Sequence, residues 1–239
     1  MAEKLKNIPN HIAFIPDGNR RWAANHMMEV WKGHDKGTSV VKEMIKEAVR
    51  MKIPHFSFWG SSLDNIAKRS KEEVSYLFKI FKNNFTDLAK DKDIHQNKIR
   101  VNVFGRWREL FPEDVKKAIE HAIEVTKEYN EHFFNVFLAY SGIDEMEEAV
   151  RKISEEAIKN PKIKITVETI KNYLFTRQLP KVDYLIRTGG DPHLSGGFMM
   201  WETADTQLYF LDKYWPDFTV EDFRTAIEEY GRRQRKFGA

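Results

Sequence analysis

The sequence alternates short apolar segments with longer amphipathic ones, and this alternation restricts the fold more than any other feature. Between the apolar segments lie stretches with apolar residues at helical spacing, among them 37–51, 70–90 and 112–130. Strands that alternate with helices form mostly parallel sheets covered on both faces. We therefore expect an α/β fold with about six mainly parallel strands flanked by helices. The strand-like segments are 11–15, 55–59, 99–105, 133–140, 182–188 and 207–210.

Length and composition favour one domain. The chain has 239 residues with neither a Gly/Ser-rich linker nor an internal repeat, so we predict a single domain over residues 1–239. The absence of cysteine excludes disulfides and thiolate metal sites. The net charge of +3, from 39 basic and 36 acidic residues, is too balanced for bulk nucleic-acid binding. A basic nucleic-acid-binding domain therefore ranks far below the other interpretations.

The apolar runs are too short to span a bilayer. No run of 18 apolar residues occurs, and the N-terminal segment lacks the apolar middle of a signal peptide. We expect a cytoplasmic protein, and a transient peripheral contact with a membrane surface remains open.

Polar residues concentrate where the predicted strands end. Arginine offers bidentate donors to phosphate, glycine allows close backbone approach, and helix N-termini expose N–H groups. Each residue alone is more often a surface or ion-pair residue, but their joint occurrence favours a ligand with two or more phosphates. The glycine stretches match neither a Walker A motif nor a GxGxxG fingerprint, so nucleotide binding gains no support. The strand-end residues include Asp17, Gly18, Asn19, Arg20, Arg21, Ser61, Ser62, Asp64, Asn65, Arg69, Gly105, Arg106, Arg108, Arg187, Asp191, His193 and Ser195.

Asp17 has two interpretations that the residues leave open. It pairs with the neighbouring arginines and stabilises the turn, or it holds Mg²⁺ together with the oxygens of a diphosphate, as Mg²⁺ sites commonly do. A second acid, Glu73, follows Ser70 by three residues in a capping-box pattern, which assigns it to the start of a helix.

Several motifs resemble those of the cis-prenyltransferases, the undecaprenyl diphosphate synthase family. "HIAFIPDGNRRWA" (11–23) and "GHDKG" (33–37) are similar to the N-terminal signature of that family. "RTGGDPHLS" (187–195), "FMMW" (198–201), "QLYF" (207–210) and "WPDF" (215–218) resemble its C-terminal signature, and "RRQRKFGA" (232–239) its usual end. The motifs follow the family order along nearly the whole chain.

The resemblance implies a fold, a reaction and an assembly. Members condense isopentenyl diphosphate with an allylic diphosphate (dimethylallyl, geranyl or farnesyl), form Z double bonds and use Mg²⁺. The implied fold is a homodimeric α/β domain with an apolar tunnel for the growing chain. We look for the contact between subunits at "WPDF" and the C-terminal helix.

The resemblance also implies residue roles. Asp17 is the metal-linked acid, Gln207 occupies the position of a second metal ligand, and Asn65 is the residue proposed to take part in proton removal. The residues that match diphosphate-binding positions are Gly18, Asn19, Arg20, Arg21, Trp22, His34, Ser61, Ser62, Arg69, Arg187, His193 and Ser195.

This chain departs from the family pattern at the phosphate and metal contacts. Asp64 replaces the usual Glu, His193 an Arg, Gln207 a metal-ligating Glu and Val30 an Arg. We therefore predict an active enzyme whose products are shorter than C55. The alternative is a non-catalytic relative that stabilises an active partner subunit. Bulky candidates to narrow or floor the tunnel are Phe78, Phe81, Phe85, Phe133 and Phe134.

Overall fold

The computed structural model describes residues 7–233, within which six strands form one sheet. Neighbours in the sheet follow the order β3-β4-β2-β1-β5-β6, and every neighbouring pair is parallel. The predicted α/β class and strand number are confirmed, and β3, β4 and β5 are shorter than predicted by one, two and three residues. The strands are β1 (His11–Ile15), β2 (His55–Trp59), β3 (Ile99–Phe104), β4 (His132–Phe137), β5 (Tyr184–Arg187) and β6 (Gln207–Phe210).

Helices connect the strands and cover both faces of the sheet. The predicted helices are confirmed, although α2 begins earlier than its periodicity suggested. The short helices α1, α3, α5, α6 and α9 were not predicted, because segments of four to seven residues show too little periodicity. The helices are α1 (Asn19–Asn25), α2 (Val30–Arg50), α3 (Leu63–Lys68), α4 (Lys71–Leu88), α5 (Lys92–Gln96), α6 (Trp107–Leu110), α7 (Glu113–Thr126), α8 (Gly142–Lys159), α9 (Val167–Tyr173) and α10 (Val220–Arg232).

The larger core lies on the face of the sheet that packs against α2, α4, α7 and α10. Phe14 of β1 is its centre, with ring contacts to Trp215 at 5.6 Å and to Phe218 at 5.8 Å between centroids. Trp215 and Phe218 are fully buried inside the chain. These rings fill the core and cannot contact a second subunit, whereas Asp217 of the same motif is exposed, so the contact expected at this motif and the C-terminal helix stays a prediction. Most of the basic C-terminal motif, from residue 234 on, lies outside the described residues.

The strand order decides which strand ends meet. β1 lies between β2 and β5, so the loops after these three strands converge at one edge, where ligands of parallel sheets bind. β3 lies at the far edge. Arg106, which follows β3, pairs instead with Asp144 of α8 at 2.9 Å. Arg106 therefore takes the structural role of an ion-pair residue.

Candidate active site

A cavity of about 880 Å³ opens at the carboxyl ends of β1, β2 and β5 and continues between α2 and α4. Its mouth is polar and its interior is apolar. Twelve of the predicted site residues line it, namely Asp17, Gly18, Asn19, Arg20, Arg21, His34, Ser61, Ser62, Asn65, Arg69, Arg187 and Ser195. The structure therefore brings together residues from five separate segments of the chain.

The first charged group of the mouth, here called the Asp17 cluster, consists of Asp17, Arg21, Arg187 and Asp191. The Asp17 carboxylate accepts a hydrogen bond from Arg187 Nη2 at 2.8 Å and lies 3.3 Å from Arg21 Nη2. Asp191 lies 3.3 Å from the same nitrogen of Arg21. Asp17 is thus an ion-pair partner of Arg21 and Arg187, as one of the two interpretations predicted.

Glycine is required at two positions beside this cluster, because side chains pack directly against the backbone there. Gly189 has φ +94°, a left-handed conformation that L side chains rarely adopt. A Cβ atom there would lie 2.8 Å from Arg21 Nη2 and 3.0 Å from the Asp17 side chain. Gly18 has φ +106° and faces the Tyr214 ring in the same manner. Gly189 therefore lets the β1 and β5 loops approach closely enough to share Arg21 and Asp17, and Gly18 lets the β1 loop approach Tyr214 after β6.

The second charged group, here called the Glu73 cluster, consists of Glu73, Arg69, His34 and Arg20. Arg69 Nη1 donates to Glu73 Oε1 at 2.9 Å, and His34 Nε2 and Arg20 Nε lie 3.6 and 3.9 Å from that oxygen. Burial and the charge of Arg69 lower the pKa of His34 to about 4, although Glu73 acts in the opposite direction. His34 is therefore neutral at pH 7 and adds no positive charge to the mouth.

Glu73 is a site residue that the sequence did not reveal. Ser70 does cap α4, because its hydroxyl accepts from the Glu73 N–H at 3.2 Å. The Glu73 carboxylate turns away from the cap and binds Arg69 instead. The sequence contains no local signal for this contact, because Arg69 lies in extended backbone between α3 and the N-cap of α4 and does not share a helix with Glu73.

The loop after β2 uses its polar atoms largely to stabilise its own backbone. Ser62 and Asn65 form a capping box at α3, in which Asn65 Oδ1 accepts from the Ser62 N–H at 3.3 Å. The Ser61 hydroxyl accepts from the Ala139 N–H at 2.9 Å. Asp64 points to solvent and pairs with Lys68. These residues line the cavity, but their geometry is that of a rigid wall.

Three predicted site residues do not line the cavity. Trp22 donates from its indole nitrogen to Asp217 at 2.7 Å. His193 has an exposed side chain, and only its carbonyl oxygen reaches the site, accepting from Arg187 Nη1 at 2.6 Å. Gln207 starts β6 opposite Tyr184, whereas Arg187 ends β5 opposite Phe210.

The metal pair of Asp17 and Gln207 is therefore not assembled within one chain. The two residues lie at opposite ends of their strands, and the Gln207 amide oxygen is buried without a hydrogen-bond partner among the described residues. A cage of three or more His, Asp or Glu side chains is likewise absent from residues 7–233. Asp17 remains the acid that reaches the cavity.

The interior of the cavity is mainly apolar, with Thr38, Lys42 and Asn84 as polar residues of its lining. Among the phenylalanines expected to narrow it, Phe81, Phe85 and Phe134 line the cavity. Phe78 instead packs on Phe111, and Phe133 stacks on His55 at 4.5 Å between ring centroids. The other apolar residues are Val30, Val41, Ile45, Phe58, Leu77, Ile80, Leu88, Val136 and Leu138. A charged mouth on an apolar cavity suits an anionic head with a hydrocarbon tail.

Comparison with known proteins agrees with this geometry. The prenyltransferase family model that describes undecaprenyl diphosphate synthases matches residues 15–238. The chain is a member of the undecaprenyl diphosphate synthase family. It is therefore a prenyl-transferring enzyme of the transferase class. Its relatives include the tritrans,polycis-undecaprenyl-diphosphate synthase (geranylgeranyl-diphosphate specific) of Pyrococcus horikoshii, 39% identical over all of this chain and 90% of the relative.

Other family members extend the comparison. The synthase of the same name from Methanocaldococcus jannaschii is 40% identical over 97% of this chain and 83% of its own length. A crystal structure of lavandulyl diphosphate synthase from Lavandula x intermedia, in complex with dimethylallyl diphosphate, superposes with a TM-score of 0.89 at 30% identity, covering 99% of this chain and 100% of that one. A probable undecaprenyl diphosphate synthase from Campylobacter jejuni shares the fold, with a TM-score of 0.78, 24% identity and coverage of 98% and 100%. Within residues 7–233, helices of the length and apolarity needed to cross a membrane do not occur.

Proposed function

We propose that this family member condenses isopentenyl diphosphate with an allylic diphosphate and forms Z-prenyl diphosphates shorter than C55. The observation that carries the proposal is the single cavity in which an arginine-rich mouth continues into an apolar body of about 880 Å³. The two parts match the two parts of a prenyl diphosphate. Arginine holds phosphate oxygens through bidentate hydrogen bonds, and the apolar walls exclude water from a carbocation.

Each turn of the reaction breaks the allylic C–O bond, forms one C–C bond and releases a proton and pyrophosphate. Negative charge builds on the departing diphosphate, so fixed cations stabilise the transition state more than the ground state. Arg20, Arg21 and Arg69 approach this diphosphate from the β1 and β2 loops. Arg187 and Ser195 serve the isopentenyl diphosphate. The Arg187 Nε–H supports this role, since it is buried and has no partner among the described residues.

Asp17 is the residue that would hold Mg²⁺. Its side chain is one-third exposed to the cavity, and Mg²⁺ binds readily to one carboxylate plus phosphate oxygens and water. Asp17 therefore fits a metal site in which phosphate oxygens of the substrate supply further ligands. The bound ion would neutralise charge on the leaving diphosphate. To bind the ion, Asp17 would have to give up its ion pairs with Arg21 and Arg187. These two arginines could then bind the diphosphate.

The volume of the cavity supports products shorter than C55. A methylene group and a water molecule have similar volumes, on the order of 30 Å³ each in a liquid. The cavity of about 880 Å³ includes the polar mouth that would hold the diphosphates, so it has room for at most roughly 30 carbons. The relatives named above carry names that denote an eleven-unit product, which is C55, and a geranylgeranyl primer, so the shorter length proposed here rests on the cavity and not on these names. We accordingly add geranylgeranyl diphosphate to dimethylallyl, geranyl and farnesyl diphosphates as candidate primers.

The test is a product assay on the full chain. Purified protein receives Mg²⁺, labelled isopentenyl diphosphate and each primer in turn, and the products are sized by chromatography. We expect labelled products below C55, and a loss of turnover of about 10³ for Asp17→Asn, the size of effect seen when one stabilising group is removed. An Asp205→Asn variant, on the distant surface pair with Lys181, is the control and should keep full turnover.

Failure of the wild-type protein with every primer would overturn the proposal. It would favour the alternative of a non-catalytic subunit, which a co-expression assay with a catalytic family member then measures. Dimethylallyl diphosphate alone is a further arm, because it detects transfer to an acceptor other than isopentenyl diphosphate. We also propose a homodimer with transient membrane contact. Its mass in solution and its sedimentation with lipid vesicles are measured on the same preparation.

A further inference from the structure

A group of buried polar side chains lies on the face of the sheet opposite the larger core. It consists of Glu145, Glu202, Thr176 and Lys171 and is here called the Glu202 cluster. Glu145 and Glu202 are each 1% exposed and Thr176 is fully buried, whereas 22% of the Lys171 side chain is exposed. Tyr140, a member of the smaller core on this face, donates to Glu145 at 2.5 Å. All four residues of the cluster lie outside the cavity lining, so the reaction proposed above gives them no role.

A single hydroxyl group joins the two carboxyl groups of this cluster. Thr176 Oγ1 lies 2.9 Å from Glu145 Oε1 and 2.9 Å from Glu202 Oε1. A hydroxyl has one proton, so it donates to only one of these oxygens at a time. Glu145 has a second donor in the Thr176 N–H, at 2.8 Å. Glu202 therefore needs a partner other than Thr176 to stay buried.

Lys171 is that partner. Its ammonium group donates to Glu202 Oε1, and to the Thr176 carbonyl oxygen at 3.0 Å. Within residues 7–233 no other ion pair reaches either carboxyl group, and Glu202 Oε2 has no hydrogen-bond partner. Burial raises the pKa of Glu202, and Lys171 acts in the opposite direction. Removal of Lys171 would leave two buried acids joined by one hydroxyl and no cation, a costly arrangement.

The cluster is connected to the cavity through the segment that links β5 to β6, residues 188–206, here called the acceptor loop. Ser195 of this loop lines the cavity, and Glu202 lies seven residues later. The chain between them is tightly folded, because the Thr203 N–H and hydroxyl donate to the Met199 carbonyl oxygen at 2.8 and 2.9 Å. A movement of Glu202 is therefore transmitted along this turn toward Ser195.

We propose that Lys171 and Glu202 are positioning residues for the isopentenyl diphosphate subsite, an inference that rests on the proposed function. Their ion pair fixes the acceptor loop to α9, and Thr176 links the loop to α8. The loop thereby holds Ser195 near Arg187 before the substrate binds. Preorganisation lowers the free-energy cost of binding, so loss of this anchor should weaken the binding of isopentenyl diphosphate and spare the allylic substrate.

The test compares the KM values of the two substrates in variants of the full chain, using Mg²⁺ and the primer that the wild type turns over best. Lys171→Met should raise the KM for isopentenyl diphosphate at least about tenfold, the effect of losing one hydrogen bond to a charged group. The KM for the primer should change by less than about twofold. Lys181→Met is the matched control, because it removes a lysine–acid pair with Asp205 whose side chains are 76% and 79% exposed. It should leave both KM values unchanged.

A second substitution separates positioning from a general effect on folding. Adding Glu202→Gln to Lys171→Met removes the unpaired buried charge and keeps the shape of the side chain. The KM for isopentenyl diphosphate should then return to within about threefold of the wild-type value. Persistence of the high KM in the double variant would contradict the proposal. An equal change in both KM values, or a loss of stability without any change in KM, would overturn it.

A milder variant keeps the test decisive where Lys171→Met does not fold. Thr176→Val removes the shared hydroxyl, leaves Lys171 paired with Glu202, and should raise the KM for isopentenyl diphosphate about threefold, as expected for one neutral hydrogen bond. An unchanged KM in this variant would overturn the link between the cluster and the subsite. Absence of incorporation by the wild-type protein would instead overturn the proposed function.

Discussion

The Asp17 and Glu73 clusters stand at two sides of one cavity mouth, and each joins carboxylate and arginine side chains. They differ in exposure. Asp17, Arg21 and Asp191 are between 33% and 53% exposed, and only Arg187 is buried. In the Glu73 cluster, Glu73, Arg69 and His34 are 12–17% exposed, and only Arg20, at 61%, is open to solvent. One cluster is therefore largely solvated and the other largely closed.

The difference indicates two roles. Exposed ion pairs contribute little to stability, so the Asp17 cluster can exchange its partners for phosphate oxygens and a metal ion at small cost. A buried pair is costly to break, so the Glu73 cluster holds Arg69 in one orientation before any ligand arrives. Burial lowers the pKa of Arg69, and Glu73 opposes that shift. The Asp17 cluster therefore exchanges its ion-pair partners when a ligand binds, and the Glu73 cluster orients Arg69 before binding.

Replacing one arginine by methionine in each cluster tests this difference in stability most directly. Arg69→Met leaves the buried Glu73 carboxylate without its main partner and should lower the free energy of unfolding by about 3 kcal/mol. Arg21→Met should lower it by about 0.5 kcal/mol or less, because Arg21 is half-exposed. Chemical denaturation measures both. Adding Glu73→Met to Arg69→Met should recover most of the loss, and equal losses for the two single variants would contradict the contrast.

Low pH should destabilise the protein through protonation of His34 in the Glu73 cluster. Its pKa is about 4 in the folded protein and 6.5 when unperturbed. The unfolded chain therefore binds more protons than the folded one between these values, and stability falls as pH falls through that window. The loss attributable to His34 should be about 2 kcal/mol between pH 7 and pH 5. Denaturation at both pH values measures it.

Other buried histidines titrate in the same range, so the contribution of His34 must be isolated. Burial lowers the pKa of His11 to about 3 and of His55 to about 4. The relevant quantity is the difference between wild type and His34→Gln, which should show the smaller pH dependence. Identical slopes for the two proteins would indicate that His34 is protonated in the folded state at pH 5.

The smallest effect is expected at His193, beside the open cluster. Its side chain is exposed, and its contact with Arg187 is made by the backbone carbonyl, which His193→Ala preserves. The KM for isopentenyl diphosphate should change by less than about twofold. This effect is much smaller than that expected from the loss of one hydrogen bond to a charged group. Arg187→Ala is the matched comparison and should raise KM far more. A large effect of His193→Ala would mean that its ring turns toward the ligand.

Much of the fold was predictable because its elements carry local signals. The central strands β1 and β5 are apolar runs buried on both faces, and the capping box of Thr219 and Asp222 at α10 forms as its residue types indicate. The five short helices were not predictable, because no helical repeat completes within them. The position of Trp215 in the core was also missed, since an aromatic residue in a loop has no local signal of burial.

Site residues were predictable where the position of the backbone alone brings them to the cavity. Parallel strands end at one edge, so Asp17, Ser61 and Arg187 meet once the strand order places β1 between β2 and β5. Residues whose role depends on side-chain direction were predicted less well. Gln207 begins a strand that Phe210 ends, and the register of β6 against β5 places it away from the mouth.

The sequence by itself thus determined the α/β class, the family and the segments that form the mouth, because periodicity and motif order are local properties. The tertiary structure alone decided that Glu73 serves the mouth and that Asp17 rests on Arg187. These depend on which elements pack side by side, and on burial, which makes one carboxylate–arginine cluster rigid and leaves the other free to exchange partners.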